Sequence, residues 1–179
     1  MNSNPRRSMR DTRPIGSSDV RRTALDVTDA LLVYCLKITA LSLLAAASLQ
    51  AAATIVAHMV GMQPSSVPRI GVDFRDWLGT ALLSPLLESV LVWAAGSLTR
   101  SMTRAVWTPS LLIGLAAGVL HGAIHPAWFF GPAASFTVFA WAWLRWRDAG
   151  RSRHFLILLV PHMLQNIAVL LLQVLADRF

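Results

Sequence analysis

Long apolar runs separated by short polar stretches organise this chain. Five runs cover residues 30–60, 77–98, 107–124, 127–144 and 155–175. Each is close to or above the roughly 20 residues that an α-helix needs to cross about 30 Å of hydrocarbon. The pattern predicts an all-α fold, a polytopic membrane helical bundle of about five transmembrane helices. Before the first run, residues 1–26 hold six arginines with serines, aspartates and two prolines, and no apolar periodicity. This stretch reads as a basic, disordered cytoplasmic tail, followed by a transmembrane domain over 27–179. The first apolar run is far longer than the core of a signal peptide, so it is expected to stay attached as a span.

Composition sharpens this picture. With 55% apolar and 14% charged residues and a mean hydropathy of +0.53, the chain is too apolar for an ordinary soluble domain. The net charge of +7 does not point to nucleic acid, because the basic residues fall between the apolar runs instead of on one face. Their placement is topological: short cytoplasmic loops collect Arg and Lys. Arg6, Arg7, Arg10, Arg13, Arg21 and Arg22 precede the first span, Arg100 and Arg104 join the second to the third, and Arg145, Arg147, Arg151 and Arg153 join the fourth to the fifth. On the other side, Arg69, Arg75 and Arg178 are matched by Asp73, Asp76 and Asp177. An inner (plasma) membrane location of bacterial type, with the amino terminus cytoplasmic, satisfies the rule throughout. Trp77, Trp107, Trp128, Trp141, Trp143 and Trp146 lie near span ends, as an aromatic belt requires. Cys35 is the single cysteine, which rules out an internal disulfide and a cysteine-ligated zinc.

Against this apolar background a few polar residues stand out. Glu88 is the only glutamate of the chain and lies eleven residues after Trp77, about 16 Å into its span and close to the midplane. An ionised group there costs about 2.5–3.5 kcal/mol on insertion scales, so its presence calls for a function. His121 lies in the second half of the third span, and His162 and Asn166 share one face of the fifth. Pro85 cannot donate to the carbonyl of Ala81, nor Pro161 to that of Ile157, which predicts kinks or water-accessible gaps beside Glu88 and His162. His125, one turn after His121, and Ser89, adjacent to Glu88 but on a different helix face, are secondary candidates; His58 and His154 read as span-edge structural residues.

Hydrolysis of a peptide bond by activated water needs a base for the water proton, donors for the oxyanion and an acid for the leaving amine. A carboxylate can serve as base and then as acid, while His and Asn hold the oxyanion or the water. Glu88, His121 and His162 would also make a two-His, one-carboxylate set for zinc or another divalent metal, and the sequence leaves both versions open. Nucleophilic catalysis has no support: Cys35 lacks a partner and no serine sits in a Gly-x-Ser-x-Gly context.

At these residues the chain resembles the CPBP (Abi) family, which comprises CAAX-type prenyl endopeptidases and bacteriocin-processing intramembrane proteases. That family carries Pro-x-x-Glu-Glu-x-x-x-Arg, Phe-x-x-x-His and His-x-x-x-Asn motifs on successive transmembrane helices. Here they read Pro85-Leu-Leu-Glu88-Ser89-Val-Leu-Val-Trp93, Ala117-Gly-Val-Leu-His121 and His162-Met-Leu-Gln-Asn166. The likeness spans about residues 83–172. Ser89, Trp93 and Ala117 replace the second glutamate, the arginine and the phenylalanine, and a shifted register would put His121 at the phenylalanine place and His125 at the histidine.

The resemblance implies a catalytic-like core over about 77–175. In it Glu88 activates water, and His121, His162 and Asn166 bind the oxyanion or position the water. The expected partner is a membrane protein or lipidated peptide substrate, cut near the bilayer surface or at a carboxy-terminal sorting tail. The eroded first motif supports an alternative, a catalytically silent membrane scaffold, immunity protein or partner-binding subunit. A proton-coupled carrier is a third reading, weakened by the lack of an internal repeat.

Overall fold

The computed structural model describes residues 31–62, 71, 73–103, 105–146, 151–176 and 178. The tail over 1–26 and several loop arginines therefore lie outside the described residues. Among those described, 91% are helical and none is in a strand. The helices are α1 (Leu31–Met59), α2 (Phe74–Leu78), α3 (Ser84–Met102), α4 (Trp107–Ile124), α5 (Phe130–Arg145) and α6 (Arg151–Ala176). A π-helical stretch, Gly79–Leu83, fuses α2 to α3, and a 3-10 turn, Pro126–Trp128, leads into α5. Five stretches are long and apolar enough to cross a membrane: Leu31–Met59, Phe74–Thr99, Trp107–Ile124, Pro126–Arg145 and Arg153–Ala176. The second begins three residues before the expected Trp77, because the Asp73 carboxylate accepts from the Asp76 backbone N–H at 2.8 Å and caps a helix turn there.

Lipid reverses the usual logic of exposure, since leucines on the outside meet hydrocarbon and gain nothing by burial. Leu32, Leu44 and Ile55 of α1 and Leu87, Leu91 and Leu98 of α3 face outward accordingly. Packing falls to small, aromatic and polar side chains. α5 is the central helix, in contact with α1, α4 and α6, while α3 leans mainly on α6 and touches α4 lightly. Gly114, Gly118 and Gly122 form a stripe at four-residue spacing on α4 against α5. A Cβ on Gly118 would sit 2.8 Å from Ala133 Cβ and 2.9 Å from the Phe129 carbonyl oxygen, so the missing side chains set how closely the two helices approach.

The core occupies one half of the bundle. Tyr34 and Ile38 of α1, Phe139 to Leu144 of α5 with Trp146 just after it, and Ile157 and Leu158 of α6 fill the end where α3 leads towards α4 and α5 towards α6. His154 closes it: the ring stacks flat on Trp143, centroids 4.4 Å apart, and Nε2 lies 3.0 Å from the Trp143 carbonyl oxygen. The other half is held by polar bonds. Gln165 of α6 donates through Nε2 to Ser135 Oγ of α5 at 2.6 Å and accepts through Oε1 from Ser42 Oγ of α1.

Candidate active site

Pro85 shapes the approach to Glu88 through a change of helical register. In the π-helical stretch the Ser84 N–H donates to the Gly79 carbonyl, one residue further back than in an α-helix. In that register the Thr80 carbonyl would take its proton from residue 85, and Pro85 has none to give. The amide of Asn166 supplies it instead, Nδ2 donating to Thr80 O at 2.8 Å across 86 residues of sequence. Thr80 is thus a carbonyl that Pro85 leaves without a helical donor, and the discontinuity is a π turn at the start of α3.

Four residues later Glu88 enters the interior of the bundle. Ser84 Oγ donates to its Oε1 from the preceding turn of the same helix face. Its Oε2 faces two rings from other helices, His121 Nε2 of α4 at 3.7 Å and His162 Nε2 of α6 at 3.5 Å. His162 is buried, while the Glu88 and His121 side chains keep 22% and 27% of their surface accessible. His121 Nδ1 lies 2.8 Å from the Ala117 carbonyl oxygen, which can only accept, so Nδ1 carries a proton and Nε2 is the nitrogen turned to Glu88. The Phe136 ring of α5 meets His162 edge-on, with centroids 4.9 Å apart, and touches His121 at 5.8 Å; Phe139 backs His162 at 5.3 Å. Both rings are held in place by apolar contacts that compete for none of their nitrogens.

These groups line a cavity of about 460 Å³ whose wall also includes Ser135, Gln165 and Asn166. Its size is that of sites that hold small ligands or short chain segments. A second, apolar groove of about 300 Å³ runs between α3 and α4 past Leu91, Leu112 and Leu120 and meets the first at Glu88, His121 and Phe136.

Of the residues singled out from the sequence, Glu88, His121, His162 and Asn166 come together in this cavity. Ser89 does not: its side chain is buried away from the cavity, and Oγ meets no hydrogen-bond partner among the described residues. Nor does His125, whose Nδ1 accepts from the Ala127 N–H at 3.3 Å and caps the 3-10 turn. The register with His121, not His125, facing the glutamate is therefore the one that the fold uses. His58 is exposed at the end of α1, and Trp93 is half-exposed on the outside of α3. Among the described residues no group of three or more His, Cys, Asp or Glu is arranged to hold a metal ion.

No family model, curated protein or solved structure matches the chain. Ser84, Phe136 and Gln165 escaped the sequence reading. Only Ser84 had a local signal, its four-residue spacing from Glu88.

The link between Asn166 and Thr80 makes a prediction of its own. Asn166→Ala leaves a part-buried carbonyl without its donor, a loss of about 1 kcal/mol, and should lower the melting midpoint in detergent by about 2–4 °C. Pro85→Ala restores an N–H that can serve that carbonyl from within the helix. In that background Asn166→Ala should cost less than half as much. Equal losses in both backgrounds would show that the carbonyl is not what Asn166 supports.

Proposed function

We propose that the protein is an intramembrane endopeptidase of the glutamate-dependent CPBP kind, which hydrolyses a peptide bond of a membrane-associated substrate by water activated at Glu88. The observation that carries this reading is the convergence of His121 and His162, from two other helices, on one oxygen of the only glutamate. Fourteen residues separate Glu88 from the start of its span at Phe74 and eleven from its end at Thr99. A carboxylate so deep in hydrocarbon is costly as helix glue alone, since interhelical polar contacts there contribute only about 0.6 kcal/mol on average.

The geometry supports a division of labour. Separations of 3.5–3.7 Å exceed direct hydrogen-bond length, and an oxygen atom can be shared among the three groups. Glu88 takes one proton from water as its oxygen attacks the scissile carbonyl carbon. His121, when Nε2 carries no proton, accepts the hydrogen bond of the second proton there and aims the lone pair. His162, when its proton is on Nε2, donates to the oxyanion that forms as the C=O bond opens. Glu88 then returns its proton to the amide nitrogen, the C–N bond breaks, and an acid and an amine leave.

The test is complementation of a strain that lacks the gene, with expression verified and membrane peptides compared by mass spectrometry. Glu88→Gln, His121→Ala and His162→Ala should each lose the same processed fragment. If all three behave as wild type, the buried polar residues only join helices and the chain is a scaffold, an immunity protein or a partner-binding subunit.

A further inference from the structure

The cavity and the core divide the bundle between them, and the division has a direction. Cavity residues come early in the second span (Gly79, Thr80), early in the fourth (Trp128, Pro132) and late in the fifth (Asn166, Val169). Because successive spans run antiparallel, these positions share one end of the bundle, the end of the α4–α5 turn. The packed aromatic core fills the opposite half: Tyr34 and Ile38 come early in the first span, Trp141 to Trp146 late in the fourth, and Ile157 and Leu158 early in the fifth. No water path from that end is suggested by side chains such as Trp143 and Ile157, both 0% exposed.

Most of the arginines belong, by sequence, to the segments that precede or join spans at the plugged end. Twelve of fifteen precede α1 or fall between α3 and α4 or between α5 and α6, counting Arg100, Arg145, Arg151 and Arg153 at the helix ends. In the sequence, the segments next to the spans at the hollow end carry Arg69, Arg75 and Arg178 against Asp73, Asp76 and Asp177. The positive-inside rule keeps the arginine-rich end in the cytoplasm.

We propose that the Glu88 cavity opens to the extracytoplasmic face of the membrane and receives a peptide segment that has already been exported, such as the juxtamembrane or carboxy-terminal part of a translocated protein. Polar wall groups at that end, the Thr80 hydroxyl and the Asn166 side-chain oxygen, give an extended peptide backbone places to hydrogen-bond as it descends to Glu88. A cytoplasmic substrate would have to pass the aromatic core or enter by the groove between α3 and α4, whose wall of Leu91, Val92, Ala95, Leu112 and Ile113 offers a peptide backbone no hydrogen-bond partner. The peptide as substrate rests on the protease reading; the direction of opening does not.

Cysteine labelling separates the two. Cys35 is the single cysteine and is buried, so a Cys35→Ala background is silent. At Gly79 and Gly131, both on the cavity wall, an added Cβ meets nothing within 4 Å. With a membrane-impermeant maleimide, Gly79→Cys and Gly131→Cys should label in intact bacterial cells with a permeabilised outer membrane to the same extent as after lysis. Arg153→Cys, at the arginine end, should label only after lysis. The reverse pattern, or cavity cysteines that label in neither preparation, overturns the proposal. Correct labelling with a Glu88→Gln variant that still yields every fragment would remove the protease reading and leave the outward-facing cavity standing.

Discussion

Glu88→Gln should cut the yield of the processed fragment by about 10²–10⁴-fold, the range that a positioned general base contributes, while leaving the bundle folded. The substitution is nearly isosteric. A glutamine Oε1 still accepts from Ser84 Oγ, so the hydrogen bond along α3 survives, and the ring contacts of Phe136 and Phe139 with the histidines do not involve residue 88. What is lost is the ability to take up a proton. Its melting midpoint in detergent should stay within about 3 °C of wild type, which for a chain of this size corresponds to roughly 1 kcal/mol. Ser84→Ala is the graded companion. It keeps the base and removes the donor that fixes it, and the loss of a hydrogen bond to a charged group, about 1.5–3 kcal/mol, should lower the fragment yield by about 10–100-fold. A Glu88→Gln protein that melts like wild type and processes like wild type would end the hydrolytic reading, because no other carboxylate lies in the cavity wall.

The spans were legible because membrane insertion is read residue by residue from hydropathy, and each of the five apolar runs is a helix within a few residues of its expected ends. The grouping of Glu88, His121 and His162 was legible for a related reason: polar residues inside hydrocarbon turn inward, and few were available. Asn166 came to the cavity for a reason that no spacing rule contains, since its partner is a backbone carbonyl released by a π turn 86 residues away. Pro85 announced an irregularity but not its kind. An α-helix broken at proline and a π turn that redirects the neighbouring carbonyl leave the same sequence trace. Phe136 and Gln165 were hidden because aromatic and amide side chains in a span are common, and only the packing of α5 against α4 and α6 shows which face the histidines. The glycine stripe on α4 was plain in the sequence at positions 114, 118 and 122 and passed unread, although small residues at four-residue spacing are the usual device by which helices approach closely in lipid.

That stripe carries the second large effect. Gly114→Leu and Gly118→Leu should abolish the folded bundle, and the alanine series should rank by the space that each Cβ finds. In a helix interior Gly→Ala gains about 1 kcal/mol from propensity, whereas overpacking costs about 1–3 kcal/mol, so the contact decides the sign. At Gly114 a Cβ would collide with Thr137 Oγ1 and with the Ala133 carbonyl oxygen, a backbone atom that cannot step aside; Gly114→Ala should lose about 4–8 °C of melting midpoint. Gly118→Ala meets Ala133 Cβ at 2.8 Å and the Phe129 carbonyl oxygen at 2.9 Å and should follow closely. Gly122→Ala meets the Phe129 side chain at 3.2 Å, which can give by a few tenths of an ångström, and should be near neutral. Gly131→Ala finds open space and should be neutral or stabilising. Thr137→Ala removes one of the three obstacles at Gly114, leaving the Ala133 carbonyl oxygen and the Thr137 backbone nitrogen, and should recover part, not all, of the loss. Because α4 carries His121 and α5 carries Phe136, any widening of this seam also moves His121 away from Glu88 and from the ring that seats it. Fragment yield should therefore fall in the same order as the melting midpoints, Gly114 before Gly118 before Gly122, and an alanine series with no such order would show that close α4–α5 packing is not what places His121.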